Sequence, residues 1–426
     1  MTTTFQAEVF QNQFLPQGAS EVHAIVTVAS EGAAIAPSMA PPGGKLFGVV
    51  CDISGSMDGE KLHAAKEAMI QLIGLIPDDT HFFITAGSNI ATVVFPASPA
   101  NTQNKLQAVQ AVRRLRATGS TMMSTWLNKA VEQFETMPDA VRQALLLTDG
   151  LNDKDDAANL ANALARSQGV FQCDCRGVGT DWDVRQLRAI SNSLLGSTDI
   201  IARPADIAAD FQAVLATAVG KSVSDVAIRL WTPVGATVMF CKEVSPSIVD
   251  LTALAKSVNP RTLEYPTGAW SGTESRDYHF AIQVNPGNIG DEMLAGRATL
   301  VMKQNGAESK IAEARILAVW TGDDAKSTRI ERHVAHYTGQ AELAQSIQDG
   351  LEAKAQGRED AATALLGKAV KIAHDSGNEA TAKLLRSVVD VDDPATGTVR
   401  LKRGVAKEDE MALETRSTKT KRVQKA

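Results

Sequence analysis

The chain has 426 residues, which is enough for about three domains of roughly 150 residues each. Hydrophobic residues make up 44% and charged residues 22%, proportions that are ordinary for globular proteins and exclude a wholly disordered chain. The net charge of −6 combines two unlike parts, because residues 400–426 carry +5 and the remainder carries −11. Such an acidic body argues against nucleic acid as the main partner.

The sequence carries no signal for export or membrane insertion. No stretch approaches the roughly 18–20 uninterrupted apolar residues of a membrane-spanning helix, and the N-terminus lacks a basic start followed by an apolar stretch. Four cysteines are too few for a disulfide scaffold in a chain of this length. We therefore expect a cytoplasmic protein without a membrane span, with its cysteines reduced.

The first two segments predict strands and then an α/β domain. Residues 1–43 include an alternating stretch at 21–28, which is typical of a half-buried strand. Residues 44–220 alternate strand and helix, beginning with an apolar run at 46–51 that is typical of a central parallel strand covered on both faces. This alternation predicts a doubly wound, mainly parallel α/β sheet.

The remaining segments predict three further parts. Residues 221–325 contain short strands separated by turns and favour a β-sandwich, which the N-terminal strands are expected to join. Residues 326–392 are Ala-rich and predict a helical region. Residues 393–426 are polar and basic without apolar periodicity, which predicts a flexible basic tail. The favoured interpretation is a solubilising tail; the alternative is a docking or regulatory segment whose hydroxyl groups could be phosphorylated and which an acidic or phosphothreonine-binding partner would recognise.

Side chains with oxygen atoms cluster where the predicted strands of the α/β domain end. Asp52, Ser54 and Ser56 directly follow the first apolar strand. Asp149 follows another apolar strand, and Thr121 belongs to the stretch Thr-Gly-Ser-Thr at 118–121, just before a predicted helix. In an open α/β sheet, ligands bind outside the carboxyl ends of the strands. Because carboxylates and hydroxyls are the hard oxygen ligands that Mg²⁺ prefers, this pattern predicts a metal site.

The chain order of these five residues is Asp52, Ser54, Ser56, Thr121 and Asp149. This pattern resembles the metal-ion-dependent adhesion site of the von Willebrand factor A (VWA) domain, which is Asp-x-Ser-x-Ser with a later Thr and a later Asp. The resemblance covers about residues 44–220. It implies that Ser54 and Ser56 bind the metal through their hydroxyls. Asp52 and Asp149 would lie close to the metal and often contact it through water. Thr121 would coordinate the metal directly in the ligand-bound form.

The resemblance also implies the ion and its use. The family usually has Gly-Gly-Thr where this chain has residues 119–121, which leaves Thr121 as the best match and Thr118 as a weaker candidate. The implied ion is Mg²⁺, with Mn²⁺ and Ca²⁺ as alternatives. Coordination by neutral hydroxyls and few carboxylates leaves the ion electron-poor, so an Asp or Glu of a partner protein can supply the sixth ligand.

The expected function is therefore a non-enzymatic, Mg²⁺-dependent protein-binding adaptor or scaffold. The architecture resembles bacterial intracellular VWA proteins, which are found with AAA+ ATPases or with Ser/Thr kinases and phosphatases. Others occur in stress-response and tellurite-resistance gene neighbourhoods. The alternative is a metal-dependent enzyme, or a metal-ion or stress sensor, that uses the same site.

Simpler interpretations of the motif residues remain open. Asp52 and Ser54 could have no role beyond capping a helix, and Asp149 could have no role beyond its place in a turn. A strand ending in Asp also begins phosphohydrolases of the haloacid dehalogenase type, which place a second Asp two residues later as general acid. Ser54 occupies that position here, so the proton donor for such hydrolysis is lacking.

For the other side chains that could bind a metal, we expect ordinary structural roles. Cys173 and Cys175 are expected to be buried thiols, because no second pair follows for zinc. His333 and His336 are spaced to share a metal on a helix, but a solvated helix face is the favoured interpretation. Three acidic residues after Asp149 are expected to be solvated charges at a helix start: Asp153, Asp155 and Asp156.

Overall fold

The structure, a computed structural model, describes residues 4–31, 43–304 and 307–423. Most of the segment that joins the N-terminal strands to the α/β domain lies outside these residues. The strands are, in chain order, β1 (Thr4–Gln11), β2 (Phe14–Leu15), β3 (Glu21–Glu31), β4 (Lys45–Asp52), β5 (Thr80–Gly87), β6 (Thr92–Pro99), β7 (Val141–Thr148), β8 (Gln172–Val178), β9 (Thr198–Ile201), β10 (Lys221–Trp231), β11 (Thr237–Ser245), β12 (Val249–Asp250), β13 (Lys256–Asn259), β14 (Thr262–Ser271), β15 (Thr273–Gln283), β16 (Glu292–Gln304), β17 (Ala307–Trp320), β18 (Val389–Asp393) and β19 (Thr398–Leu401). The helices are α1 (Glu60–Leu75), α2 (Thr102–Arg113), α3 (Met123–Phe134), α4 (Ala157–Ser167), α5 (Val184–Ser193), α6 (Ile207–Val219), α7 (Asp324–Ser327), α8 (Arg332–Ala355), α9 (Glu359–Asp375), α10 (Glu379–Val388) and α11 (Lys407–Arg416).

The α/β domain is built on a six-stranded sheet in the order β6-β5-β4-β7-β8-β9. All neighbours are parallel except β5 and β6, which confirms the predicted fold class. Side chains of β4 alternate between two cores: Phe47 and Val49 face α1, α2 and α6, whereas Leu46 and Val50 face α3, α4 and α5. Burial on both faces explains why β4 is a continuous apolar run.

The β-rich domain is a sandwich of two sheets, in the orders β1-β3-β15-β11-β12 and β13-β14-β10-β16-β17-β2. The N-terminal strands belong to both sheets, because β3 pairs with β15 and β2 pairs with β17. The α/β domain is thus inserted between β3 and β10. The strand β14 contains Pro266 and Gly268, which are turn signals in a sequence, and its pairing with β10 shifts register near them.

The C-terminal part is folded, so the prediction of a flexible tail over 393–426 is wrong for its described residues. Helices α8, α9 and α10 pack with the β18–β19 hairpin, and Leu413 of α11 is fully buried in that cluster. Met411 packs on the α/β core instead. The basic charges are compensated locally, because Arg416 and Lys419 both pair with Asp199 at the end of the central sheet. Within the described ranges, none of the helices combines the length and apolar character needed to cross a bilayer.

Two glycines in the helical region should respond oppositely to replacement by alanine. A Cβ atom on Gly367 of α9 would lie 2.3 Å from the carbonyl oxygen of Gly397 in the β18–β19 turn, so Gly367→Ala should destabilise the protein by about 1–3 kcal/mol. A Cβ atom on Gly339 of α8 would have no atom within 4 Å, so Gly339→Ala should stabilise it by about 0.5–1 kcal/mol. Urea unfolding of both variants tests the packing, and equal midpoints would contradict it.

Candidate metal centre

Two loops are fastened together at the carboxyl edge of the central sheet, the edge at which the parallel strands end. The backbone N–H of Gly55 donates to the carbonyl of Gly119 at 2.9 Å, and that of Thr118 donates to the carbonyl of Ile53 at 2.7 Å. The loop at 118–121 is therefore held against the loop that follows β4. Because β7 is the parallel neighbour of β4, Asp149 emerges beside them.

Asp52, the last residue of β4, is fully buried and anchors the site. One carboxylate oxygen accepts the backbone N–H of Ser54 at 2.7 Å, and the other accepts the hydroxyl of Thr148 at 2.6 Å. Burial raises the pKa of Asp52 above its ordinary value, and the negative charge of Asp149 acts in the same direction, although the hydrogen bonds from Thr148 and Ser54 lower it. A cation placed nearby would favour the ionised form.

A chain of hydrogen bonds connects the remaining predicted ligands of the first loop to β7. The hydroxyl oxygens of Ser54 and Ser56 lie 3.1 Å apart, and the hydroxyl of Ser56 donates to Asp149 Oδ1 at 2.7 Å. Ser54 and Asp149 are buried, whereas Ser56 is exposed. The arrangement therefore opens to solvent on the side of Ser56.

Thr121 contributes a hydroxyl from the second loop. A Cβ atom on Gly150 would lie 3.3 Å from Thr121 Oγ1 and 3.4 Å from Ser56 Oγ. Hydroxyls of two separate loops thus converge beside a residue that has no side chain of its own. The Thr121 side chain makes no hydrogen bond to the described part of the chain, which leaves its oxygen available to a ligand.

Lys61 is a charged member of the site that the sequence analysis missed. It lies in the first turn of α1, and its Nζ is 2.6 Å from Asp149 Oδ2 and 3.9 Å from Asp181 Oδ2. The available signal was that it is the first basic residue after the motif, on the helix that the motif loop begins. Its pairing with Asp149 depends on the three-dimensional fold.

The donor set fits a hard divalent cation. Hydroxyl oxygens from three residues and two carboxylates are gathered together, and these are the atoms that Mg²⁺, Mn²⁺ and Ca²⁺ take. Within residues 4–31, 43–304 and 307–423, no group of three or more His, Cys, Asp or Glu side chains is placed to hold a metal ion, so the site depends on its hydroxyls. The residues that would hold the ion are Asp52, Ser54, Ser56, Thr121 and Asp149. A bound ion would supply a positive charge to which a carboxylate could bind as a further ligand.

The other predicted candidates do not form metal sites. Cys173 and Cys175 are buried with their sulfurs 4.0 Å apart, as expected for buried thiols. The His333 ring is stacked on Phe10 and its Nδ1 lies 2.9 Å from a carboxylate oxygen of Glu331. His336 Nε2 lies 2.6 Å from the carbonyl oxygen of Lys421. Each histidine therefore has a separate partner, and neither is simply solvated.

The expectation that Asp156 is a solvated charge is wrong. Asp156 is fully buried, accepts the backbone N–H of Ser124 at 2.9 Å and also accepts the Ser124 hydroxyl. It therefore caps the start of α3. The chain after Asp149 folds back over that helix, because the N–H of Asp153 donates to the carbonyl of Thr121 at 2.8 Å. These bonds fix the position of Thr121.

The mainly parallel sheet and the oxygen donors at its carboxyl edge define a VWA-type domain protein. The von Willebrand factor type A domain family matches residues 48–200, and the von Willebrand factor type A C-terminal domain family matches residues 371–417. A solved structure of a von Willebrand factor type A protein from Catenulispora acidiphila is 46% identical, covers 99% of this chain and 98% of that one, and has a TM-score of 0.93. The chain belongs to the von Willebrand factor type A family.

Curated relatives match over shorter regions. An uncharacterised protein of Synechocystis sp. is 27% identical over 209 residues, which are 48% of this chain and 49% of that protein. The inter-alpha-trypsin inhibitor heavy chain H1 of Mesocricetus auratus is 32% identical over 154 residues, 33% of this chain and 17% of that one. The chain thus spans about half the length of the first of these relatives and less of the second. Domains of this family typically mediate protein interactions.

Proposed function

We propose that this chain is a non-enzymatic, Mg²⁺-dependent protein-binding adaptor that binds an Asp or Glu side chain of a partner through the candidate metal centre. Mn²⁺ and Ca²⁺ are alternative ions. One observation carries the proposal: hydroxyls and carboxylates from three loops converge at the carboxyl edge of the sheet. The residues concerned are Asp52, Ser54, Ser56, Thr121 and Asp149.

The chemistry of this donor set favours recognition over bond cleavage. Three of the five donors are neutral, so the charge of the ion is only partly compensated, and a carboxylate from a partner can replace a bound water. Ser54 stands where a phosphohydrolase would need a second Asp as general acid. The nearest thiol, Cys51, is buried, and burial raises its pKa, which makes it a poor nucleophile.

The surface around the site suits a partner of limited negative charge. Ile90 and Leu151 are 68% and 62% exposed, and they lie in the loops after β5 and β7, the two strands that flank β4. Exposed acidic residues, including Asp58 and Asp155, are also close in sequence to the site. Apolar side chains beside a single carboxylate would complement this surface, whereas a strongly acidic partner would be repelled.

The Thr121→Ala variant tests the proposal through partner capture. Immobilised full-length chain is exposed to extract from its own organism in MgCl₂ or in EDTA, and the captured proteins are quantified by mass spectrometry. We expect a partner that is retained only with Mg²⁺, and at least about ten-fold weaker retention by Thr121→Ala, because one donor is removed.

Thr118→Ala is the matched control. Thr118 was the weaker candidate in the sequence, but the structure leaves it exposed and outside the proposed donor set, and its backbone N–H holds it to the first loop. It should retain the partner as the wild type does. Partner retention that is indifferent to EDTA and to both substitutions would contradict the proposal. Turnover of a phosphoester that needs Asp52 would instead favour the metal-dependent enzyme.

A further inference from the structure

The candidate metal centre contains two buried carboxylates, and one ammonium group pairs with one of them. Asp52 and Asp149 are each 0% exposed. Lys61 Nζ lies 2.6 Å from Asp149 Oδ2, and the Lys61 side chain is 26% exposed. Without Lys61, the second oxygen of Asp149 would lose its donor, and the Ser56 hydroxyl would remain as the donor to the first oxygen. Lys61 therefore stabilises the metal-free protein.

The formal charges of the site change in steps as ligands bind. Asp52, Asp149 and Lys61 together carry a net charge of −1. A divalent cation changes this sum to +1, and one carboxylate from a partner returns it to zero. If the residue at position 61 were neutral, the cation alone would bring the sum to zero. An uncompensated charge is unfavourable where water is largely excluded.

Lys61 has a second carboxylate within reach. Asp181 Oδ2 lies 3.9 Å from Lys61 Nζ, and the Asp181 side chain is 71% exposed. An ammonium group displaced from Asp149 by a cation can turn toward Asp181 without leaving the site. Its charge would then remain close enough to oppose the cation and to attract an anion.

We propose that Lys61 couples the binding of the metal to the binding of the partner's carboxylate. When no carboxylate is bound, Lys61 weakens metal binding; when a carboxylate is bound, Lys61 strengthens it. This inference rests on the proposed function and assigns a specific residue to it. Lys61 would act as a positioning and charge-setting residue, not as a metal ligand. By linkage, the metal and the carboxylate must change each other's affinity by the same factor.

The test measures Mn²⁺ affinity of the metal-free full chain by electron paramagnetic resonance, with and without acetate as the carboxylate probe. Free Mn²⁺ is corrected for its own binding to acetate. In the wild type, acetate should tighten Mn²⁺ binding several-fold. Lys61→Met should bind Mn²⁺ about ten-fold more tightly than the wild type without acetate, because a nearby like charge is removed. The effect of acetate should be smaller in this variant.

Lys61→Arg is the matched control, because it keeps the charge and should keep weak Mn²⁺ binding and the acetate effect. Thermal melting supplies a second readout. The metal-free Lys61→Met protein should melt at a lower temperature than the wild type, and saturating Mn²⁺ should raise its melting temperature more than it raises that of the wild type.

The outcomes separate the inference from the proposed function. If the wild type binds Mn²⁺ but Lys61→Met binds it equally or more weakly, with an unchanged acetate effect, the role of Lys61 is overturned and the metal site stands. If the wild type binds no Mn²⁺, the proposed function itself fails. Tighter binding by Lys61→Met with a reduced acetate effect supports the inference.

Discussion

In the Ser54→Ala/Ser56→Ala double variant, the affinity for Mg²⁺ or Mn²⁺ is expected to fall by more than about 100-fold. Both hydroxyls belong to the proposed donor set, and they lie 3.1 Å apart. The loop itself should survive, because the backbone N–H of Ser54, which alanine retains, donates to Asp52. Isothermal titration calorimetry of the metal-free chain measures the loss.

Ser120→Ala is the control for this experiment. Ser120 is exposed in the loop that carries Thr121, but it stands outside the proposed donor set. It should bind the metal as the wild type does. A double variant that keeps wild-type affinity while the far-ultraviolet circular dichroism is unchanged would show that the two serines do not bind the ion.

Replacing Asp277 by alanine should lower the free energy of unfolding by about 3–5 kcal/mol. Asp277 of β15 is 1% exposed. It accepts hydrogen bonds from three side chains: the hydroxyl of Thr27 at 2.6 Å, the hydroxyl of Tyr337, and the guanidinium of Arg422 at 3.1 Å. These donors come from β3, α8 and the C-terminal segment. Alanine would leave the buried hydroxyl of Tyr337 and the half-buried hydroxyl of Thr27 without this acceptor.

Arg422→Gln provides the comparison for Asp277→Ala. The Arg422 side chain is 42% exposed, so its loss should cost no more than about 1 kcal/mol. Guanidinium chloride unfolding of both variants gives the two values. If Asp277→Ala changes stability by no more than Arg422→Gln does, the buried carboxylate does not join the sandwich to the helical region.

The five residues of the proposed metal site could be selected from the sequence because their signals are local, and their binding of a metal stays a prediction. Asp52, Ser54 and Ser56 follow one strand, and the parallel fold brings Asp149 beside them. Lys61 was missed because nothing in its neighbourhood along the chain indicates which carboxylate it pairs with. The burial of Asp156 was missed for the same reason, since it caps a helix that begins more than 30 residues earlier.

The C-terminal segment shows the limit of composition as a guide. A basic stretch without apolar periodicity predicts flexibility when it stands alone. Here the acidic body supplies its partners, because Arg416 and Lys419 pair with Asp199 and the backbone of Thr418 accepts the N–H of Ile248. Helix α11 has only two buried apolar side chains, Met411 and Leu413, beside the buried Thr415, and two apolar residues produce no recognisable period.

The most direct test of the account is a water-proton relaxation titration of the wild-type chain with Mn²⁺. We predict one Mn²⁺ per chain at the site of Asp52, Ser54 and Asp149, with at least one exchangeable water that acetate displaces, since ions of this kind keep water ligands when the protein fills only part of their coordination. Failure to bind Mn²⁺ stoichiometrically, or a bound Mn²⁺ whose relaxation enhancement does not respond to acetate, would contradict a metal centre that receives a partner's carboxylate.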